Sequence, residues 1–389
     1  MLTIDRPPIP IAKPELGEEE AAAAREAILS GWVTQGPRVA AFEDAFAHFV
    51  GAEHACAVSN CTTALHLALH VLGVGPGDEV ITVSHSFIAT ANVVRYCGAK
   101  PVFVDVDPRT FNIDPAKIAA SITPRTKAIL PVHQMGMPCD LEAILTIANR
   151  HGLPVVEDAA CAIGSEIKVV DRWERIGRPH GTIACFSFHP RKIVTTGDGG
   201  MLTTNDPALA ARFRSLRQHA MSVADTTRHA AKTVIFEEYP EIGFNYRMTD
   251  IQAAVGLVQL RRLPGILARR TELGRRYARM LAEIPGLIAP HVPQYARPNF
   301  QAYPVRVTSD YPLGRNDLMD SLLSQKISTR RGIMNAHQEA AYAGVESYDL
   351  PMSEVARDNT ILLPLYHSMT DSEQDAVIEC LRDARENSS

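Results

Sequence analysis

The stretch Cys185-Phe-Ser187-Phe-His-Pro-Arg-Lys192-Ile-Val-Thr-Thr-Gly-Asp-Gly-Gly200 decides how this chain is read. A β-rich run, Ile183 to Phe188, is followed by a lysine, and a Gly-rich turn then leads into a second β-run, Gly200 to Thr204. A lysine held just beyond a strand end is partly desolvated, which favours the neutral amine that attacks aldehydes. On an open loop the same residue would be an ordinary solvated charge. The segments on either side bear on that choice.

Upstream, the runs Ala55 to Val58, Glu79 to Val83, Pro101 to Val106, Ala128 to Val132 and Pro154 to Glu157 precede the two strands already named. Each is separated from the next by room for one crossover helix, the pattern of an α/β fold with a mainly parallel sheet covered by helices. Glu18 to Leu29 reads as an acidic-fronted, Ala-rich helix, and Thr62 to Leu72 places Leu65, Leu69 and Leu72 on one helical face. From Thr249 a long helical pattern runs into Pro264, whose missing amide hydrogen is expected to break or bend it before a second helix continues through Met280. That break is the expected boundary between a large domain, 1–263, and a small one, 264–389. In the latter a weaker βαβ-like rhythm gives a strand near Ala302 to Val307 and helices over Arg315 to Ser324 and Asp371 to Arg385.

Composition narrows the function classes. The net charge of −5 comes from 39 basic and 44 acidic residues without a basic run, so nothing attracts nucleic acid or an anionic membrane. The longest apolar stretches are too short to cross a bilayer and the first ten residues lack a signal-peptide core, so a cytoplasmic location is expected. Seven scattered cysteines without a CxxC pair are expected to be reduced. His66 and His70 stand four apart on a helix, but no third ligand accompanies them, and no metal is expected.

Two further segments carry chemistry. Val155-Val-Glu-Asp158-Ala-Ala-Cys161-Ala-Ile-Gly164 puts Asp158 at the carboxyl end of a strand, where open α/β sheets hold ligands. A buried aspartate there needs a cation or a donor; a protonated pyridine nitrogen would serve, and so would the amides of a helix it caps. Ser59-Asn-Cys-Thr62-Thr63 is a strand end passing through hydroxyl residues into a helix, suited to a phosphate or to plain capping. A lysine for a Schiff base, an aspartate for a pyridinium and a hydroxyl-rich helix start are together what pyridoxal phosphate requires.

With these segments the chain closely resembles the DegT/DnrJ/EryC1/StrS family of sugar aminotransferases. The resemblance also rests on Gly31-Trp32-Val-Thr-Gln-Gly36-Pro37, Ser86-Phe87-Ile-Ala-Thr90, Pro131-Val-His133 with Gly136, and Gly243-Phe-Asn245-Tyr-Arg247-Met-Thr-Asp250. It implies a three-layer fold of aminotransferase type I with a smaller C-terminal α+β domain, and pyridoxal 5'-phosphate as cofactor. By the same resemblance Lys192 bonds the cofactor and shuttles a proton, Asp158 partners the pyridine nitrogen, and Thr62, Thr63 and Ser187 hold the phosphate. Phe87 sits where a ring stacks on the cofactor, and Asn245 where a residue reaches the phosphate of the neighbouring subunit, which implies a homodimer with shared sites. The implied reaction moves an amino group from an amino acid, with L-glutamate expected, to the ketone of a nucleotide-linked sugar; a keto-cyclitol is the alternative acceptor. A dehydratase of this fold would carry histidine in place of Lys192, and a non-catalytic regulator would have lost cofactor residues that are present here. Two departures stand out. Cys161 replaces the Gln or His of many members, and 166–181, with Trp173, Arg175 and Arg178, is longer than the family's turn, either reshaping the substrate mouth or forming a surface loop.

Overall fold

The alternation of strands and helices closes into one central sheet. A computed structural model describes residues 7–223, 233–234, 236–344 and 348–386. The first nine strands are β1 (His54–Val58), β2 (Glu79–Val83), β3 (Lys100–Val104), β4 (Thr126–Leu130), β5 (Val156–Asp158), β6 (Glu166–Val169), β7 (Arg172–Arg175), β8 (Ile183–Ser187) and β9 (Gly200–Thr204). The order β1-β9-β8-β5 continues through bridges at Ile129–Val155 and Val132–Asp158 into β4-β2-β3. Only β9 runs against its neighbours; β8, β5, β4, β2 and β3 are paired in parallel, and β1, antiparallel to β9, shares their direction. All the parallel strands therefore end on one edge of the sheet, and β9 begins there. Their near-continuous apolar character follows from cover on both faces, and β2 and β9 are buried along their whole length.

The segment 166–181 is not an open loop. β6 and β7 form a hairpin, joined on its other side by β11 (Ala296–Arg297), which follows β10 (Leu287–Ile288). The three residues singled out in it are engaged structurally: the Arg297 guanidinium stacks on Trp173 at 3.8 Å, that of Arg175 on Phe49 at 4.2 Å, and Arg178 pairs with Glu174 at 3.1 Å.

A second core is built on β10, β12 (Tyr303–Val307), β13 (Arg330–Arg331) and β14 (Thr360–Leu363), in the order β10-β12-β14-β13. All its pairings are antiparallel, which replaces the βαβ-like rhythm expected from sequence. The helices Arg315–Ser324 and Asp371–Glu386 cover it, and Ile9 joins it from the other end of the chain through a bridge to Ile327.

The expected break at Pro264 is absent. One helix of 32 residues runs from Asp250 to Leu281. Pro264 and Gly265 are on its exposed side, while Leu263 and Ile266 are buried in the first core and Leu273, Tyr277 and Leu281 in the second. Packing on both sides of the proline outweighs the one backbone hydrogen bond it removes. At its start, Thr249 caps the helix through the amide of Gln252 at 3.2 Å. Asp250 turns instead to a helix not anticipated from sequence, Pro37–Val50: its carboxylate accepts from the amides of Gly36, Arg38 and Val39 at 2.9, 3.1 and 2.9 Å. A carboxylate at a helix N-terminus satisfies first-turn donors and complements the dipole.

Candidate active site

The edge on which the parallel strands end gathers the residues singled out in the sequence. Asp158 closes β5, is paired in register with Cys185 of β8, and is 4 % exposed. Its Oδ2 accepts from the Thr90 hydroxyl at 2.8 Å and its Oδ1 from the amide of Ala160 at 3.1 Å. Burial pushes its carboxyl above the usual range, against the opposing pull of those two hydrogen bonds and of the more distant Lys192 ammonium. No basic side chain lies within ion-pair distance of it among the described residues. The His133 amide donates to the Asp158 carbonyl at 3.0 Å, and the His133 ring, fully buried, bridges the Cys139 amide (3.0 Å) and the Glu157 carboxylate (3.0 Å). Because Nδ1 accepts from an amide, the ring proton is on Nε2 and faces Glu157.

Lys192 follows β8 in a loop that returns into β9 at Gly200. Its Nζ lies 2.9 Å from the Cys161 Sγ. The sequence alone suggests that desolvation favours the neutral amine, and burial does act in that direction. The hydrogen bond to Cys161 and the nearness of Cys61 and Asp158 outweigh it, and the ammonium's pKa is raised. Cys161→Ala removes the largest opposing influence and should lower that pKa. The measurement is the pH dependence of Lys192 reductive methylation in cofactor-free protein, with a profile moved to lower pH than wild type as the expected result.

Beside this pair lies the start of the helix Cys61–Val71. Asn60 caps it, its Oδ1 accepting from the Thr63 amide at 2.9 Å while the Thr63 hydroxyl donates back to the Asn60 carbonyl at 2.8 Å. The single hydroxyl proton of Thr63 is therefore held by the cap. The Thr62 hydroxyl, and the amides of Cys61 and Thr62, have no acceptor among the described residues. The turn is pressed against the lysine loop at Gly200, where a Cβ would come within 2.5 Å of the Asn60 carbonyl carbon and oxygen. The Ser187 hydroxyl, at the end of β8, accepts weakly from the His189 amide at 3.4 Å. Phe87 is 58 % exposed, an uncommon position for a phenyl ring and one open to a planar ligand. Asn245 is exposed and bridges Gln218 through its backbone, while its chain neighbours Tyr246 and Arg247 pair with Ser59 and Val58 at the end of β1. His66 is bonded through Nδ1 to the Tyr246 hydroxyl at 2.9 Å and packs against Phe244, and no metal-ligand cluster occurs among the described residues.

The site thus fits pyridoxal phosphate on its own chemistry: a buried carboxylate in need of a cation, free amides and a hydroxyl at a helix start, and an amine between them. Thr90, the direct partner of Asp158, sits in the Ser86 to Thr90 motif, but its contact with a residue 68 positions away has no signature in the sequence. Asn299 and Gln301, which hold the Cys161 and Lys192 loops, belong to no motif at all.

This combination of sheet order and site makes the protein a pyridoxal-phosphate enzyme of aminotransferase fold type I. The profile of the DegT/DnrJ/EryC1/StrS aminotransferase family matches residues 14–382, and the chain belongs to that family of sugar aminotransferases. It is 42 % identical over 380 residues to the spore coat polysaccharide biosynthesis protein SpsC of Bacillus subtilis, covering 96 % of each chain. It is likewise 42 % identical over 382 residues to GDP-perosamine synthase of Caulobacter vibrioides, covering 97 % of this chain and 98 % of the relative. The PLP-form of the putative sugar aminotransferase Spr1654 of Streptococcus pneumoniae superposes with a TM-score of 0.90 at 27 % identity, over 98 % of this chain and all of the other. Among the described residues, no helix is long and apolar enough to cross a membrane.

Proposed function

We propose that this enzyme moves an amino group from an amino acid, L-glutamate first among donors, to the ketone of a nucleotide-linked sugar, acting as a homodimer in the cytoplasm. The observation that carries the reading is the Lys192 amine at the strand edge beside buried Asp158. The nucleotide-linked acceptor is supported by the 42 % identity to a relative named for GDP-perosamine. Bound pyridoxal phosphate supplies an electron sink and a carbonyl able to carry the amino group. Asp158 would face its ring nitrogen and keep it positively charged. Thr62, the amides of Cys61 and Thr62, and Ser187 would receive its phosphate, with the helix dipole adding to the attraction. The Lys192 amine takes the proton from the donor's α-carbon and later returns one to the acceptor carbon. Donor and acceptor use the same place in turn, so ping-pong kinetics are expected. Presenting the amino form of the enzyme with a panel of nucleotide keto-sugars and keto-cyclitols tests the acceptor class; turnover confined to cyclitols would overturn it.

The homodimer reading is supported by exposed large apolar side chains at Phe87 and Tyr96, ahead of Lys192 in the chain, and at Phe236, Tyr239 and Ile242, shortly before Asn245. If Asn245 serves the partner's phosphate, Asn245→Asp sets an anion against it and weakens cofactor binding, while Lys192→Ala disables only its own site. A mixed dimer then holds one doubly defective site and one intact site. Subunit exchange between the two variants should restore activity to about half of wild type per mixed dimer, a consequence of the symmetry of shared sites. No recovery in verified mixed dimers would place Asn245 at its own chain's site or at none.

A further inference from the structure

The connection between β11 and β12 lies more than a hundred residues beyond the lysine, yet two of its side chains reach both loops of the site. Gln301 brackets Lys192: its Oε1 accepts from the Ile193 amide at 3.0 Å and its Nε2 donates to the Arg191 carbonyl at 2.7 Å. Asn299, 2 % exposed, donates from Nδ2 to the carbonyls of Cys161 at 2.8 Å and Ile163 at 2.9 Å. The lysine loop and the loop that supplies its sulfur contact are thus tied to one short segment.

That segment is itself fixed. Phe300 stands at φ +52°, in the left-handed region that side chains of L residues rarely adopt, and the Gln301 amide donates to Asn299 Oδ1 at 2.8 Å across it. From the long helix, buried Arg270 donates to the Phe300 carbonyl at 3.0 and 2.6 Å and to the Gln301 carbonyl at 2.9 Å. Among the described residues no carboxylate pairs with this guanidinium, and burial pushes its pKa down to about 9. A left-handed phenylalanine and a buried cation without a counter-ion are both unfavourable, and such features persist where the surrounding structure imposes them for a purpose.

We propose that Gln301 is a positioning residue for the transamination: it fixes the backbone on both sides of Lys192, so that the amine reaches the donor's α-carbon in line for proton transfer. The proposal rests on Lys192 being the lysine that carries the cofactor and moves the proton. A lysine side chain is long and flexible, so where its backbone is anchored sets which positions the amine can reach. An amide suits the task because it offers one acceptor and one donor, matching an N–H on one side of the lysine and a C=O on the other. Being neutral, it does so without altering the charge at the site.

The test compares wild type with Gln301→Met, which keeps length and loses both hydrogen bonds. A misplaced reacting group is expected to lower kcat on the order of 10²-fold. The donor KM should stay within about two-fold, because the lost interaction belongs to the transition state rather than to binding. With glutamate deuterated at its α-carbon, the isotope effect on kcat should rise above the wild-type value, because proton transfer becomes the slower step. A purely structural defect lowers the amount of active enzyme and leaves the isotope effect unchanged. Borohydride reduction of the holoenzyme and peptide mass mapping should still find the cofactor on Lys192 in the variant. Gln301→Glu fills the same volume and keeps the acceptor for Ile193; it is expected to show a smaller fall in kcat with the same rise in isotope effect, and it serves if the methionine variant does not fold. An unchanged isotope effect in the folded variants, or a kcat within about two-fold of wild type, overturns the proposal. Mapping of the cofactor to another lysine in the wild-type enzyme overturns the reading of Lys192 itself, and is separable from either result.

Discussion

Lys192→Ala is expected to abolish transamination, with a loss on the order of 10⁴-fold or more, since one amine is asked both to bond the cofactor and to move the proton. The variant should fold normally. Lys192 is half-buried in a loop whose hydrogen bonds run through its neighbours Arg191 and Ile193, and truncation leaves those in place. The cofactor's phosphate and ring contacts also remain, so noncovalent binding can survive. Two measurements check the assignment: turnover with an amino donor, and the visible absorbance of the purified protein, yellow in wild type and changed in the variant. Near wild-type turnover by Lys192→Ala would overturn it.

Asp158→Asn carries the second large effect. The amide is nearly isosteric and can keep the contacts to Thr90 and Ala160, but it cannot stabilise a positive ring nitrogen, and a barrier increase of about 1–3 kcal/mol or more is expected. The effect on folding runs the other way. Burial raises the Asp158 pKa in the cofactor-free fold, so between the unfolded value of 3.8 and the raised folded value the native state binds more protons than the unfolded one. Stability associated with this group therefore falls as pH rises through that window, and at neutral pH burying the carboxyl costs stability relative to acid. The cofactor-free Asn variant should accordingly be at least as stable as wild type at neutral pH, and the difference should vanish once both proteins are taken to acid. Thermal melts across pH, set beside kcat, separate the two roles. A variant that melts much earlier while its folded fraction turns over normally would make Asp158 a structural cap.

Much of this architecture was legible because short, doubly covered strands write themselves as apolar runs. β2 and β9 fall on the expected residues, and the helices Glu18–Leu29 and Arg315–Ser324 have their expected bounds. Lys192 and Asp158 were legible for a related reason: each follows or ends such a run, so the edge of the sheet could be located before the sheet was seen. The failures share a different physics. In the sequence Pro264 shows only its local cost, but the helix around it is held by two separate cores that no local window contains. The helix Pro37–Val50 begins at a glycine with no side chain to announce a cap, and its cap is supplied from position 250. Asn299 and Gln301 are ordinary amides in an irregular connection, and only the fold shows that they face the two site loops.

The contact between Asp250 and the Gly36–Val39 turn also sets an order of events during synthesis. On the ribosome, the helix that begins at Pro37 emerges more than two hundred residues before the carboxylate that caps it, and β1 waits for β9, the strand it pairs with in the sheet. The amino-terminal third therefore spends much of translation with an unpaired strand edge and an uncapped helix, the condition in which nascent chains need shielding from one another. Ribosome-stalled chains ending before residue 200 should be protease-sensitive throughout, and protection of the first helices should arrive only once Asp250 has cleared the exit tunnel.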